Sequence, residues 1–268
     1  MASSYVGLLT TDNYLPGILV VAECLRRTGS RYPFHVCITN KLSRATRKIL
    51  RLHKIPTIEV GEITVPKLNR KHRWFTTFTK LHVFSLTQFK KIVYIDADML
   101  ICSNLDHLFD KPHLSAVNAG GLIEHTWKGL NSGLMVISPE AGAVERMITI
   151  VSRDGIDKFN GDQCVINAEN PTWPDMKALH LDHTYNMPHQ HVSRVKKDHG
   201  IQMIRSLGEM SRGKGPANLI KVIHFWAHTG APWDILARGL TLPPGDIGLT
   251  YRLWIRLYQE IIRRGRRR

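Results

Sequence analysis

Apolar residues in the first half of the chain form short aliphatic runs that alternate with longer amphipathic stretches. This alternation is typical of β-α-β units stacked on a parallel sheet. The strands predicted in this half are 5–11, 34–39, 57–60 and 91–95. The predicted helices are one with Pro16 in its first turn that ends at Gly29, then 43–53 with Ser43 as N-cap, and 76–88. The pattern therefore indicates an open α/β sheet.

The second half of the chain has a weaker pattern and one strongly amphipathic helix at its end. Strands are expected at 115–117, 134–138 and 219–225, helices at 139–152 and 162–168, and a loop-rich stretch at 170–216. From Leu249 onward the sequence predicts a last helix that ends in three arginines, 266–268. Its apolar face comprises Leu253, Trp254, Leu257, Tyr258, Ile261 and Ile262.

Composition places the chain among globular proteins, and charge sets it apart from most of them. A hydrophobic fraction of 43% over 268 residues excludes disorder as the main state. The 37 Lys and Arg against 22 Asp and Glu give a net charge of +15. Such a surface attracts nucleic acid, anionic lipid headgroups or phosphorylated substrates. Because no nucleic-acid-binding module is recognised in the sequence, nucleic acid is the weakest of the three.

The cysteines and the apolar runs indicate a cytoplasmic protein. The four cysteines are far apart and form no C-x-x-C pair, so neither a zinc site nor a disulfide framework is expected. Isolated thiols suit a reducing compartment. No apolar run is long enough to span a bilayer, and the N-terminus lacks the pattern of a signal peptide. We therefore expect a soluble or peripheral intracellular protein.

The triplet Asp96-Ala97-Asp98 follows the predicted strand 91–95, which is a nearly continuous apolar run. Open α/β sheets bind ligands at the carboxyl ends of their strands. Two carboxylates at this spacing suit a hard cation, Mg²⁺ or Mn²⁺. His224 ends another predicted strand and would add an imidazole ligand. Alone, each feature also fits an ordinary turn or a hydrogen-bonded histidine.

Three further polar features accompany this triplet. Asn131-Ser132-Gly133 and Gly161-Asp162-Gln163 each contain a glycine that permits close backbone approach, although each alone fits a turn or a helix cap. Lys80 lies on a mostly apolar predicted helix, where a lysine usually extends to the surface. A basic loop, 61–74, is either solvated or a phosphate-binding segment. Its bases are Lys67, Arg70, Lys71 and Arg73.

Taken together, the motifs resemble glycosyltransferase family 8, in its glycogenin-like branch. Their order and spacing hold from about residue 5 to residue 234. The motifs that carry the resemblance are Leu8-Leu9-Thr10-Thr11-Asp12, Thr79-Lys80-Leu81-His82, Ser85-Leu86-Thr87-Gln88, Tyr94-Ile95-Asp96-Ala97-Asp98, Asn104-Leu105-Asp106, Leu108-Phe109, Asn131-Ser132-Gly133, Gly161-Asp162-Gln163, Val222-Ile223-His224-Phe225 and Pro232-Trp233.

The resemblance implies a single GT-A domain with a mixed, mostly parallel sheet. It implies transfer of a hexose from a UDP-sugar with retention of anomeric configuration, dependent on Mn²⁺ or Mg²⁺. The metal ligands it implies are Asp96, Asp98 and His224. The residues implied for the nucleotide sugar are Leu8, Thr10, Thr11, Tyr14, Lys80, Asp96, Ala97, Asp98, Asn131, Ser132 and Gly230. Those implied for catalysis are Asp162, Gln163 and Lys80, with Asp162 as a nucleophile or, as we favour, an electrostatic stabiliser.

Two departures from the family pattern qualify this hypothesis. Ala231 stands where the family usually has a lysine that contacts the diphosphate, and His228 or a loop base would have to replace it. A catalytically weak sugar-nucleotide or glycan-binding protein is therefore the alternative function. The segment 187–200 contains no tyrosine, so an external acceptor is expected rather than self-glycosylation.

The C-terminal helix has two interpretations. Its apolar face packs on the protein, or it lies on an anionic membrane, where each terminal arginine adds about 1 kcal/mol. The membrane interpretation, which we favour, would suit a lipid-linked acceptor. We predict a transferase domain at 1–235 and a C-terminal extension at 236–268.

Overall fold

The computed structural model describes residues 1–63, 77–121, 126–155, 158–159, 161–210, 212–213, 215–226 and 230–265. The chain forms two compact units. Unit 1 comprises Met1–Asp12, Tyr32–Ile95 and Leu108–Leu181, and unit 2 comprises Asn13–Arg31, Asp96–His107 and Asp182–Arg268. The predicted split into 1–235 and 236–268 stays a prediction.

Unit 1 contains a seven-stranded sheet. Its strands are β1 (Ala2–Leu9), β2 (Phe34–Ile38), β3 (Thr57–Glu59), β4 (Phe89–Ile95), β6 (Ala116–Asn118), β7 (Leu130–Ile137) and β8 (His180–Leu181). Their order across the sheet is β3-β2-β1-β4-β7-β6-β8. The pairs that involve β7 are antiparallel, and the other neighbours are parallel. This mixed, mostly parallel α/β sheet confirms the predicted fold class.

Central strands of unit 1 are apolar on both faces because both faces are covered. Val6 of β1 and Ile92 and Val93 of β4 are fully buried. The described residues of this unit include the α-helices α2 (Arg44–Leu52), α3 (Ala143–Asp154) and α4 (Asp162–Glu169). The predicted N-cap of α2 is confirmed, since Ser43 Oγ accepts the backbone N–H of Thr46 at 3.1 Å.

Unit 2 contains a three-stranded sheet, with strands β5 (Met99–Ile101), β9 (Met187–Pro188) and β10 (Val222–His224). Strand β10 lies between the other two, antiparallel to β5 and parallel to β9. Its helices are α1 (Leu15–Arg27), α5 (Val192–His199), α6 (Pro232–Arg238) and α7 (Gly245–Gly265). None of the helices in the described part of the chain combines the length and hydropathy that crossing a bilayer requires.

Several predicted boundaries were wrong. The helix predicted at 76–88 is a 3-10 helix, Thr77–Ser85, in a stretch of threonine and phenylalanine residues with modest helix propensity. The helix predicted from 139 begins at Ala143, because Gly142 has a left-handed φ of 83°. The strand predicted at 219–225 is only Val222–His224. The loop-rich stretch predicted at 170–216 includes one α-helix in its described part, α5.

The C-terminal helix α7 turns its apolar face into unit 2. Tyr251, Leu253, Trp254, Leu257 and Ile261 are buried. The packing interpretation is confirmed for these five residues, and contact of this helix with a membrane stays a prediction. Arginines 266–268 lie outside the described residues.

Candidate functional site

The three predicted metal ligands come together in unit 2. Ligand atoms of Asp96, Asp98 and His224 all lie within 4.8 Å of one another. The pairing of β10 with β5 explains this, because His224 is opposite Met99, the residue that follows Asp98. The backbone N–H of Phe225 also donates to Asp98 O at 2.9 Å. Strand pairing therefore fixes the histidine beside the second aspartate.

The histidine is oriented for ligation by a neighbouring amide. His224 Nδ1–H donates to Asn186 Oδ1 at 2.8 Å, and His224 Nε2 lies 3.1 Å from Asp98 Oδ1. A neutral imidazole whose Nδ1 carries the proton presents a lone pair at Nε2. That lone pair and two carboxylates form a donor set that fits a hard or borderline divalent ion such as Mn²⁺. The residues present therefore fit a divalent metal.

Sequence reasoning missed the residues that support this cluster. Asn186 is buried and directly precedes β9, which pairs with β10 so that Pro188 is opposite His224. A Cβ on Gly17 would lie 2.2 Å from Ala97 O, so only glycine lets α1 approach the Asp-x-Asp backbone this closely. The sequence signals that could have identified Asn186 and Gly17 were a polar residue before a short strand and a glycine within a helix, and both signals are weak.

Gly230, predicted to bind the nucleotide sugar, lies in unit 2 with a left-handed φ of 117°. Its carbonyl accepts a hydrogen bond from Tyr251 Oη at 3.0 Å. Tyr251 Oη is also 2.8 Å from His189 Nε2, and His189 Nδ1 lies 3.4 Å from His224 O. Burial lowers the pKa of His189 to about 4, so this ring is neutral at pH 7. These contacts tie the backbone of Gly230 to that of His224.

A second cluster, in unit 1, contains the predicted catalytic residues. Lys80 Nζ lies 3.0 Å from Asp162 Oδ2, and Ser132 Oγ donates to the same oxygen at 2.7 Å. Lys80 is 7% exposed, Asp162 6% and Ser132 4%. Lys80 Nζ also lies 5.1 Å from the centre of the Tyr94 ring. Lys80 is therefore a buried ion-pair partner rather than the usual surface lysine.

The two polar triplets meet in this second cluster. Gln163 Oε1 accepts the backbone N–H of Ser132 at 3.2 Å, and Asn131 Oδ1 accepts that of Gly133 at 2.9 Å. Asn131-Ser132-Gly133 lies inside β7, whereas the sequence predicted a strand that starts only at residue 134. Gly161 has a φ of 109°, which explains the glycine before α4. The sequence triplets thus mark a shared site and not two separate turns.

The predicted uridine-binding residues fall in both units. Leu8, Thr10 and Thr11 belong to unit 1 and are partly exposed, and Thr10 O accepts a hydrogen bond from Thr39 Oγ1 at 3.2 Å. Tyr14 belongs to unit 2, is 37% exposed and contacts the Trp233 ring edge-on at 5.3 Å between centroids. The predicted phosphate-binding candidates Lys67, Arg70, Lys71, Arg73 and His228 lie outside the described residues.

Comparison with solved structures identifies the fold. The chain matches a crystal structure of an active-site mutant of LgtC with a TM-score of 0.59 at 17% identity, covering 91% of this chain and 98% of that one. It matches the glycosyltransferase GlyE of Streptococcus pneumoniae TIGR4 with a TM-score of 0.57 at 15% identity, covering 96% of this chain and 63% of that one. The fold is that of GT-A glycosyltransferases.

Sequence comparison then gives the family. The model of glycosyl transferase family 8 matches residues 6–236, and the chain belongs to this family. Glycogenin-1 of Caenorhabditis elegans is 32% identical over 193 residues, 70% of this chain and 44% of that protein. Inositol phosphorylceramide glucuronosyltransferase 1 of Arabidopsis thaliana is 26% identical over 252 residues, which are 90% of this chain and 44% of that protein. The chain spans about half the length of these curated relatives.

Proposed function

We propose that this glycosyltransferase is a retaining hexosyltransferase that uses a UDP-sugar donor, depends on Mn²⁺ or Mg²⁺, and glycosylates an external glycan or lipid-linked acceptor. The convergence of Asp96, Asp98 and His224 within 4.8 Å carries this proposal. The orientation of His224 by Asn186 supports it, because the proton on Nδ1 leaves Nε2 for a metal. The proposed uridine contacts are Leu8, Thr10, Thr11 and Tyr14.

In this proposal Asp96, Asp98 and His224 hold the divalent ion. When bound, the ion would stabilise the negative charge that develops on the departing diphosphate. Ala97 and Gly230 would present backbone groups to the nucleotide sugar, and Asn131 and Ser132 would contact the donor sugar.

Asp162 would stabilise positive charge at the anomeric carbon during transfer. Its Oδ2 already accepts a hydrogen bond from Ser132 and faces the Lys80 ammonium. These contacts hold the Asp162 carboxylate in a water-poor site, where fixed charges act most strongly. They also lower the nucleophilicity of that oxygen, which favours the electrostatic role. Gln163 would position strand β7, because its Oε1 accepts the backbone N–H of Ser132.

The direct test measures UDP binding and hydrolysis of UDP-hexoses by the purified protein with and without Mn²⁺. We expect metal-dependent binding and slow hydrolysis, both abolished by Asp98→Ala. Asp110→Ala is the matched control, because Asp110 is an exposed aspartate. Full metal-dependent activity in Asp98→Ala would overturn the assignment. A panel of UDP-glucose, UDP-galactose, UDP-N-acetylglucosamine and UDP-glucuronate identifies the donor, and NMR of the product anomer tests retention.

The acceptor is proposed from the chain and its relatives. Segment 187–200 contains no tyrosine, which favours an external acceptor. The Arabidopsis relative is named for an inositol phosphorylceramide, a lipid, and this supports a lipid-linked acceptor as one of the two classes. Transfer of radiolabelled sugar to glycans and to lipid acceptors in parallel separates these classes.

A catalytically weak sugar-nucleotide binder is the second candidate. Ala231 favours it, because this residue is 1% exposed and puts a methyl group where the family pattern suggests a lysine. This candidate predicts metal-dependent binding of UDP-sugar without transfer to any acceptor of the panel. Measured transfer would exclude it.

A further inference from the structure

Positive charge is concentrated around helix α2, which contributes none of the residues used above. The segment 41–54 contains six Lys and Arg residues and no Asp or Glu. Two of the six have acidic partners, since Lys41 pairs with Glu62 at 2.6 Å and Arg47 pairs with Glu59. The four others are exposed and have no acidic partner in the described part of the chain. They are Arg44, Lys48, Arg51 and Lys54.

These four cations form one surface rather than a ring around the helix. Arg44, Lys48 and Arg51 are spaced by four and three residues, which places them on one face of α2. The opposite face is anchored, with Thr46 and Leu50 buried. Lys54 follows directly after the helix. The unpaired charge is therefore aimed outward by the packing of the helix.

An exposed leucine lies beside this basic face. Leu52 is 63% exposed and directly follows Arg51 on the helix. Phosphate groups of a nucleic acid attract the cations but give a leucine side chain no apolar environment. An anionic bilayer surface provides both, because its headgroups attract cations and its acyl boundary accepts apolar side chains. The combination favours a membrane over nucleic acid.

We propose that the basic face of α2, comprising Arg44, Lys48, Arg51, Leu52 and Lys54, docks this protein on an anionic membrane surface. This places membrane contact on a different element from the C-terminal helix, whose apolar face is buried. Helix α7 also has exposed arginines, but it contributes none of the large exposed hydrophobic residues of the described chain. The inference does not depend on the transfer reaction.

The test measures binding to phosphatidylcholine vesicles with and without phosphatidylserine, in the absence of UDP-sugar. We expect binding only to the anionic vesicles, with affinity that falls as salt is raised. The triple variant Arg44→Gln/Lys48→Gln/Arg51→Gln should weaken binding about a hundredfold, because each base contributes about fivefold near such a surface. Adding Leu52→Ser to the triple variant should weaken vesicle binding further without changing the net charge.

The matched control removes three exposed arginines from α7, in the variant Arg252→Gln/Arg256→Gln/Arg263→Gln. This control has the same net charge as the α2 triple variant, and we expect it to bind the anionic vesicles much more tightly than that variant does. Equal loss in both variants, or unchanged binding in the α2 variant, overturns the proposal. So does α2-dependent binding to duplex DNA without binding to vesicles. Thermal unfolding midpoints equal to that of the parent protein show that each variant is folded.

Discussion

In unit 1 the carboxylate of Asp162 has its counter-charge inside the chain, 3.0 Å away on Lys80. In unit 2 two carboxylates, Asp96 and Asp98, converge with the Nε2 of His224. The first cluster is electrostatically balanced by its own residues. The second gathers three ligand atoms around a place that suits an added cation.

This difference separates two ways of preparing a reactive site. A buried ion pair fixes geometry before any ligand arrives, but removing either partner leaves a buried charge. A set of metal ligands is completed when the ion binds, so its affinity for the metal depends on how well the ligands are oriented beforehand. Substitutions in unit 1 should therefore affect stability first, and substitutions in unit 2 should affect metal affinity first.

The largest expected effect is on the stability of unit 1. Lys80→Met should lower the free energy of unfolding by about 3–5 kcal/mol, because it leaves the Asp162 carboxylate buried without its cation. Urea denaturation measures this. Lys90→Met, at an exposed lysine, should change it by less than about 0.5 kcal/mol. Adding Asp162→Asn to Lys80→Met should restore part of the loss. Equal stability of the two lysine variants would show that the pair is not a structural ion pair.

The next effect is on metal affinity in unit 2. Asn186→Ala removes the acceptor that fixes His224 Nδ1–H, and loss of such an orienting partner weakens metal binding about 10- to 100-fold. Calorimetric titration with Mn²⁺, without substrate, measures it. Asn186→Asp keeps an acceptor and should retain most of the affinity. Asn218→Ala, at an exposed asparagine, should leave it unchanged. An Asn186→Ala protein with parental Mn²⁺ affinity would mean that strand pairing alone orients the histidine.

The sequence predicted some parts of both sites and not others, for physical reasons. Asp96 and Asp98 follow an apolar strand and were found, because strand ends are visible in periodicity. The ion pair between Lys80 and Asp162 was not predicted, since these residues are 82 positions apart and only the fold brings them together. The 3-10 form of Thr77–Ser85 and the support from Asn186 were missed for the same reason, because tertiary contacts override local preference.

The α/β class followed from alternating apolar runs, and this signal is local. The packing of α7 did not follow, because an amphipathic face looks the same in sequence whether protein or lipid covers it. Only the buried face of Trp254 and Leu257 distinguished the two interpretations.

The smallest expected effect concerns Glu23. It tests whether the contrast between stability and metal affinity is a property of the two clusters or of the two units. Glu23 lies in unit 2 but, like Asp162, has its counter-charges inside the chain. Burial would raise the pKa of Glu23, but hydrogen bonds from Arg26 and Arg27 and the charges of Arg26 and Arg264 lower it to about 2. If the distinction belongs to the sites, Glu23 should act on stability and leave Mn²⁺ affinity unchanged.

The pKa of Glu23 in the folded protein is below its ordinary value of 4.5, so its stabilising effect is complete above pH 4.5 and is lost as the pH falls towards 2. Glu23→Gln should therefore lower the free energy of unfolding at pH 7 and flatten its decline between these pH values. We expect a loss of about 1 kcal/mol, because solvent screens the largely exposed side chains of Arg26 and Arg264. Urea denaturation across this pH range measures it, with Glu145→Gln as the control at an exposed glutamate. A change in Mn²⁺ affinity in Glu23→Gln would show instead that the electrostatics of unit 2 act as a whole, and the contrast between the two clusters would then be one between units.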